Sequence, residues 1–276
     1  MAKTIVTHLS PDFDAIPAIW VLKKFYPEFA DAQVQFVPAG QTLDGAPAGS
    51  DPDIIHVDTG GGPFDHHQTN DYTCAAKLVW EWIKKERNIE DEAVDRLMEL
   101  ITAFDHAKDL SWEDAADDKY ELMLPALVAG WKMTYPGQYQ KIVELGLIAM
   151  DAAYLVMKSK IDAEIALDAG IEFKTPWGKA IGVETKNEAT LQLGEKLGYA
   201  LVVKKDPKRG TVRIYGRSDC GVNLEKAFQK LKKLDTDAGW FLHASKCLLL
   251  NGSAKNPTMK PTKLSLEEVI EVLKTS

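Results

Sequence analysis

The 276-residue sequence predicts an α/β protein in which an N-terminal domain built on a parallel sheet is joined by one long helix to a smaller α/β domain. Three observations predict it. Two short β-branched runs within the first sixty residues each end at a cluster of acids and imidazoles. Apolar residues then recur at helical spacing from Tyr139 to Asp168. Beyond that helix the texture changes to short strands and helices separated by Pro/Gly turns. The implied boundaries are 1–135 for the first domain, 136–168 for the connecting helix and 169–276 for the second domain.

Thr4-Ile5-Val6-Thr7 reads as a buried strand, and the chain leaving it carries His8, Asp12 and Asp14. Ile54-Ile55-His56-Val57 reads as a second strand, with Asp58 at its end and Gly60-Gly61-Gly62 allowing a sharp turn. Asp65-His66-His67 follow, and Asp105 comes after a helical stretch, with Asp95 and Asp109 as nearby competitors. In open α/β sheets functional groups collect at the carboxyl ends of the strands, so these separate groups are expected to converge. Asp12 or Asp14 also has the ordinary reading of a helix cap or first-turn acid before Ala15. His56 alternates with apolar neighbours and reads as a core histidine, while His106 is left unassigned.

Helical patterning runs from about Glu121 to Met133 and is interrupted by Pro136 and Gly137. In the long helix Ile142, Leu145, Ile148, Ala149, Ala152 and Leu155 share a face. Ile171-Glu172-Phe173 and Ala180 to Val183 then flank a Pro176-Trp177-Gly178 turn, and Ala200 to Val203 and Val212 to Tyr215 flank a second turn at 206–210. Helical patterns at 189–197, 224–233 and 266–274 alternate with these hairpins.

The ligand types in the first domain are oxygen-rich with two or three imidazoles. Such a set suits Mn²⁺, with Mg²⁺, Co²⁺ or Fe²⁺ left open, whereas a closed structural zinc site calls for thiolates. The ligands outnumber the needs of one ion. A pair of divalent metal ions bridged by a shared carboxylate accounts for them.

The segments THLSPDFDA (7–15), VDTGG (57–61), FDHHQ (64–68) and TAFDHA (102–107) resemble, in order, the four motifs of the DHH phosphoesterase superfamily. That superfamily includes RecJ-type exonucleases, oligoribonucleases, cyclic-dinucleotide phosphodiesterases and family II pyrophosphatases. The third segment also resembles eukaryotic exonucleases in which a glycine-containing stretch precedes an Asp-His-His-Gln run. The resemblance implies that His8 and Asp12 hold one ion, that Asp14, His66 and Asp105 hold the other, and that Asp58 bridges them. It makes Asp65 and His67 catalytic, with His67 facing substrate. Consecutive residues of an extended segment project oppositely, which would let His66 meet metal while His67 meets phosphate. Many relatives carry glycine where this chain has Phe13, and that bulk alters the approach to the metals.

The second half more loosely resembles the DHHA1 domain that accompanies many DHH proteins, through RIYGRSDCGVNLEKAFQKL (213–231) and AGWFLHASKCLLLNGSAKN (238–256). The implied substrate-binding residues are Arg217, Ser218, His243, Lys246, Asn251, Gly252 and Ser253. Arg217 and Lys246 offer a bidentate fork and a point charge for phosphate. Gly252 would open backbone N–H groups to an anion, although Asn251-Gly252 is also an ordinary turn pair. Trp240, Phe241 and Tyr215 read as core rather than as base-stacking groups.

Charge divides the chain. Residues 1–170 carry 14 Lys plus Arg against 29 Asp plus Glu, a balance of −15, and residues 171–276 carry 19 against 12, a balance of +7. An acidic metal-holding half and a basic half for an anionic substrate is the functional reading. Overall acidity disfavours tight nonspecific duplex binding. Cys74, Cys220 and Cys247 show no paired spacing and read as small buried hydrophobes of a reduced, cytoplasmic protein. The opening MAKTIV has no secretory pattern, and no apolar run is long enough for a membrane span.

The expected function is a Mn-type phosphoesterase acting on a short oligonucleotide, a single-stranded nucleic-acid end or a cyclic dinucleotide, with homodimerisation left open. The alternatives are a pyrophosphatase-like phosphoanhydride hydrolase and a non-catalytic nucleotide-binding regulator.

Overall fold

The computed structural model describes residues 3–252, 256 and 258–276. They form two compact units, Met1–Met157 and Lys158–Ser276, and the division falls within the long helix.

The first unit is built on a three-stranded parallel sheet of β1 (Thr4–His8), β2 (Gln33–Val37) and β3 (Ile54–His56) in the order β2-β1-β3. Central β1 is buried almost throughout, as its β-branched sequence requires, whereas edge strand β2 alternates exposed and half-buried positions. Helix α1 (Ala15–Phe25) connects β1 to β2 and buries every residue from Ala15 to Leu22. Helices α2 (Ala75–Arg87), α3 (Glu92–Asp105), α4 (Leu124–Thr134) and α5 (Tyr139–Asp168) follow. The patterning predicted from Glu121 resolves into a 3₁₀ turn and then α4, because Pro125 sits in the first turn of that helix.

The second unit is a six-stranded mixed sheet ordered β4-β5-β6-β7-β9-β8. Its first four strands are β4 (Ile171–Thr175), β5 (Gly178–Glu184), β6 (Leu201–Lys205) and β7 (Val212–Gly216), which are the two predicted hairpins. The parallel β5–β6 pair is connected through α6 (Ala189–Lys196). Strands β8 (Phe241–Leu242) and β9 (Leu248–Asn251) complete the sheet, and α7 (Glu225–Leu234) and α8 (Leu266–Lys274) supply apolar faces to its core. Ser265 and Glu268 form a reciprocal capping box at the start of α8. Trp240 is buried in this core, but Phe241 is half exposed on β8, contrary to the core reading. Cys220 and Cys247 are likewise only partly buried, and only Cys74 is fully so. Among the described residues, no helix is long and apolar enough to cross a membrane.

Candidate metal centre

The parallel register brings the first two motifs together. Val6 pairs with His56, so two residues further along each strand His8 and Asp58 stand side by side at the carboxyl ends. Val57 extends the pairing by donating to the Val6 carbonyl at 2.9 Å. At Asp58 the backbone enters the left-handed region, φ 56°, and Gly60 and Gly61 continue the turn at positive φ. A Cβ on Gly60 would lie 2.8 Å from the Thr42 methyl, so only glycine fits there. A non-glycine residue held at positive φ stores on the order of 1–3 kcal/mol and is sustained only where its surroundings over-determine it. Here the Asp58 N–H donates to Phe64 O at 2.9 Å, and the Thr59 hydroxyl is tied to Gly40 and Gln41.

The two oxygens of Asp58 face two different groups of ligand atoms. Oδ2 lies 3.1 Å from His8 Nε2, which is 3.7 Å from Asp12 Oδ2. Oδ1 lies 3.6 Å from both His66 Nε2 and His67 Nδ1. His66 Nε2 is in turn 3.5 Å from Asp14 Oδ2 and 3.6 Å from Asp105 Oδ2. Asp58 is 3% exposed, and its Oδ1 is buried with no hydrogen-bond partner. A buried carboxylate oxygen without a donor is costly unless a cation meets it. The converging oxygens and ring nitrogens, grouped within 4.8 Å of one another around His8, Asp12 and Asp58 and around Asp58, His66 and His67, fit divalent cations.

Electrostatics follow from this crowding. The hydrogen bond to Asp58 outweighs burial and raises the His8 pKa to about 9. The same carboxylate, followed by Asp105 and Asp14, raises His66 to about 9. Burial, then the charge of Asp58, lifts Asp14 to about 7 against the N–H groups that it accepts from. Burial also raises Asp105. For Asp58 itself burial opposes ionisation, but the neighbouring His66 and His8 prevail and hold its carboxyl below the usual range. Protons on the imidazoles therefore balance the acids in the metal-free chain, and a bound cation takes over that task.

The acids of the first motif serve structure and site together. Asp12 Oδ1 accepts from the backbone N–H groups of Asp14 and Ala15, the expected capping role, while its Oδ2 faces His8. Asp14 caps a different helix: it accepts from Ala75 N at 2.7 Å and Ala76 N at 2.9 Å, the first residues of α2. Asp105 is the last residue of α3, and the left-handed turn at Ala107 ends the helix there. Its competitor Asp95 is engaged by Trp80 Nε1 at 2.7 Å and Lys84 at 3.0 Å. His106 Nε2 lies 2.9 Å from Thr73 O. His56 is buried as expected, and its Nε2 accepts from Leu43 N at 3.0 Å.

The adjacent histidines do not diverge as an extended segment would make them. The chain at His67 is a turn, and the two rings stack obliquely with centroids 4.5 Å apart. Their division of labour instead comes from exposure. The His66 side chain is 13% exposed, whereas that of His67 is 67% exposed, with Nδ1 held 2.8 Å from Asp65 Oδ1. Asp65 is buried, and besides holding His67 Nδ1 it accepts from Gly61 N and His67 N.

The residues expected to bind substrate in the second unit do not form one group. Antiparallel β7 and β9 pair Tyr215 with Leu248 and Val212 with Asn251, which puts Arg217, Ser218, His243 and Lys246 at one end of the pair and Asn251 and Gly252 at the other. Asn251 is a correction: it is fully buried, its amide donates to Gly239 O and Lys260 O, and its Oδ1 accepts from Thr262 N. Both of its amide N–H donors and its carbonyl oxygen are engaged inside the unit. Arg217 is paired with Asp219 and Lys246 with Glu225. His243 Nδ1 bonds the Ser245 hydroxyl at 2.9 Å. Gly252 lines a groove with Lys186, Lys208, Arg209 and Arg213, and Ser253 lies outside the described residues.

The structure also adds residues that spacing did not reveal. Lys132 on α4 is half-buried, its ammonium pKa lowered by that burial and partly restored by the charge of Asp12. Phe13 packs edge-on against Phe104, with centroids 5.9 Å apart, so its bulk is absorbed by a neighbour of Asp105. No signal in the sequence linked either contact to the motifs.

This chain is similar to DHH-domain structures. One is a DHH domain from a protein described as belonging to a family of ribosomal proteins, at 14% identity and a TM-score of 0.34 over 99% of this chain and 86% of that one. Another is RecJ from Thermus thermophilus in complex with Mg²⁺, at 10% identity and a TM-score of 0.29, where 99% of this chain covers 49% of that one. A third is exonuclease RecJ bound to manganese, at 9% identity and 0.29, covering 99% and 90%. No family model matches the sequence, and no curated protein does.

Proposed function

We propose that the chain is a two-metal phosphoesterase that hydrolyses phosphodiester bonds of a nucleotide substrate. The observation that carries this reading is Asp58: a buried carboxylate at positive φ, one oxygen toward His8 and Asp12, the other bare and directed toward His66. His8 and Asp12 would hold one ion, Asp14, His66 and Asp105 the second, with Asp58 between them. Mn²⁺ is the preferred metal for this mixed donor set, and Mg²⁺ or Co²⁺ are compatible with it. A pair of divalent ions bound there supplies Lewis acidity toward phosphoryl oxygens and activation of water near neutral pH.

The chain's own residues do the rest. Asp65 fixes the His67 ring through Nδ1, leaving Nε2 on the exposed side of the site. When that atom carries a proton, it can deliver it to the leaving oxygen, with Asp65 holding the other side of the ring. Asp14 and Asp12 are locked by backbone N–H groups, so their remaining lone pairs are already oriented.

The test is hydrolysis, in Mn²⁺, of an adenine dinucleotide, an RNA ladder, cyclic di-AMP and pyrophosphate, with Asp58→Asn as control. Cleavage of a nucleotide member by the wild type alone supports the proposal. Preference for pyrophosphate would replace it with phosphoanhydride hydrolysis, and stoichiometric metal without any turnover would leave a binding protein.

A further inference from the structure

The ligand-bearing segments of the first unit carry aromatic rings beside them. Phe13 stands between Asp12 and Asp14, and Phe104 immediately precedes Asp105. Their rings meet edge-on at 5.9 Å, and Phe104 meets Trp112 in the same manner at 5.8 Å. On the other side of Asp105, His106 lies with its ring 6.5 Å from that of His66 and 4.8 Å from that of Tyr72. Two aromatic runs thus leave the metal centre, one reaching Trp112, the other Tyr72. Both of these residues are open to solvent, at 38% and 41% exposure.

Exposed rings alone are common, but these are fixed in place and joined to a site built for phosphate. Trp112 is held between Phe104 and Tyr120, the latter at 5.4 Å. Tyr72 is braced by His106, and the Lys108 ammonium sits 3.6 Å from its ring centroid. The Lys108 ammonium shows that the Tyr72 face attracts a partner, and it is a cation placed to meet a phosphate beside that ring. Aromatic faces combined with a cation beside a phosphate-directed metal centre select a nucleotide over an inorganic phosphate. The strand they accept is short. Glu113, Asp114, Asp117, Asp118 and Glu121 follow Trp112 with Lys119 as the one basic residue among 113–121, and that acidic segment repels a long polyanion.

Resting on the phosphoesterase reading, we propose that Tyr72 and Trp112 are nucleobase-stacking positions that seat a dinucleotide across the metal centre, one base at each. This assigns Phe13 a purpose as the inner support of the Trp112 run.

The experiment is calorimetric binding in Mn²⁺ of a hydrolysis-resistant phosphorothioate adenine dinucleotide and of ribose 5-phosphate, a base-free control, to the full chain and to Tyr72→Leu, Tyr72→Phe and Trp112→Leu. Stacking predicts about a tenfold weaker dinucleotide for each Leu variant. Ribose 5-phosphate should bind all variants as it binds the wild type, and Tyr72→Phe should retain the wild-type affinity. Unchanged dinucleotide affinity in both Leu variants overturns the proposal, as does an equal loss for the base-free control. Base-selective binding without cleavage of the unmodified dinucleotide upholds the stacking positions and rejects the hydrolase reading. Cleavage with unaltered KM in both Leu variants does the reverse.

Discussion

Replacing Asp58 with asparagine separates charge from shape at the residue on which both ligand groups depend. Asparagine tolerates the left-handed region, so φ 56° is kept, whereas alanine there would add roughly 1–2 kcal/mol of backbone strain. The N–H bond to Phe64 O is untouched by the exchange. In the metal-free protein the loss of the 3.1 Å contact with His8 is offset, since Asp14 and Asp105 are both raised partly by the charge of Asp58. Metal-free stability should therefore stay within about 1 kcal/mol of the wild type, inside the range of an uncomplicated substitution. Metal loading should not. Removing a group that merely orients a ligand costs about 10- to 100-fold in affinity, and Asp58 faces both groups directly, so a loss of at least 100-fold at both positions is expected. Equilibrium dialysis against Mn²⁺ with elemental analysis measures this, beside His8→Ala, which disturbs one group alone. If Asp58→Asn retains two ions at wild-type affinity, or hydrolyses substrate at an unchanged rate, the bridging assignment is wrong.

Other consequences can be checked separately. His67→Ala should leave metal content intact and lower kcat by about 10²–10⁴-fold; Asp65→Asn, which acts through His67, should lower it less, and loss of metal from either variant would place His67 among the ligands. Asn251→Ala should destabilise the protein in urea by about 1–3 kcal/mol, because it leaves the buried Thr262 N–H without its acceptor and removes the donors to Gly239 O and Lys260 O, while KM of the folded enzyme holds; a raised KM at full stability would return Asn251 to the substrate site. Asp235 accepts from the Thr262 hydroxyl, the bond that chiefly depresses its pKa, and from Lys263 N. Its contribution is thus present above the unfolded carboxyl pKa of about 3.9 and fades as pH falls through the lower folded value. Asp235→Asn should flatten that acid limb of the stability curve, and an unchanged limb measured by thermal melts would refute the assignment.

What the sequence made legible follows from how local each signal is. β1 was readable because a buried central strand is a continuous β-branched run, β3 because Ile54 and Ile55 lead straight into an acid-bearing glycine turn, and α8 because its apolar period and Ser265 cap coincide. β2 was not, since an edge strand reading QVQFV alternates on a half-exposed surface and has no turn pair beside it. The metal-ligand candidates converge because each follows a strand or ends a helix. The substrate residues of the second unit scattered because register, which composition does not encode, sets Asn251 and Arg217 at opposite ends of one strand pair. Asn251 closes β9 and Gly252 follows it at φ 80°, and the asparagine amide points into the core rather than toward a ligand. The aromatic run through Phe13, Phe104 and Trp112 joins residues about ninety positions apart and has no local signature.

The grip of Asp14 on the first turn of α2 makes this aspartate part of the architecture whether or not a metal is bound. With or without metal-dependent chemistry, the chain needs Asp14 to hold a helix about sixty residues downstream, whereas the bare oxygen of Asp58 has no such structural partner. The two acids therefore answer to different constraints, one to the fold and the other to the metal centre proposed above. On that reading, a related sequence that kept Asp14 but replaced Asp58 would be expected to keep the fold without the metal centre.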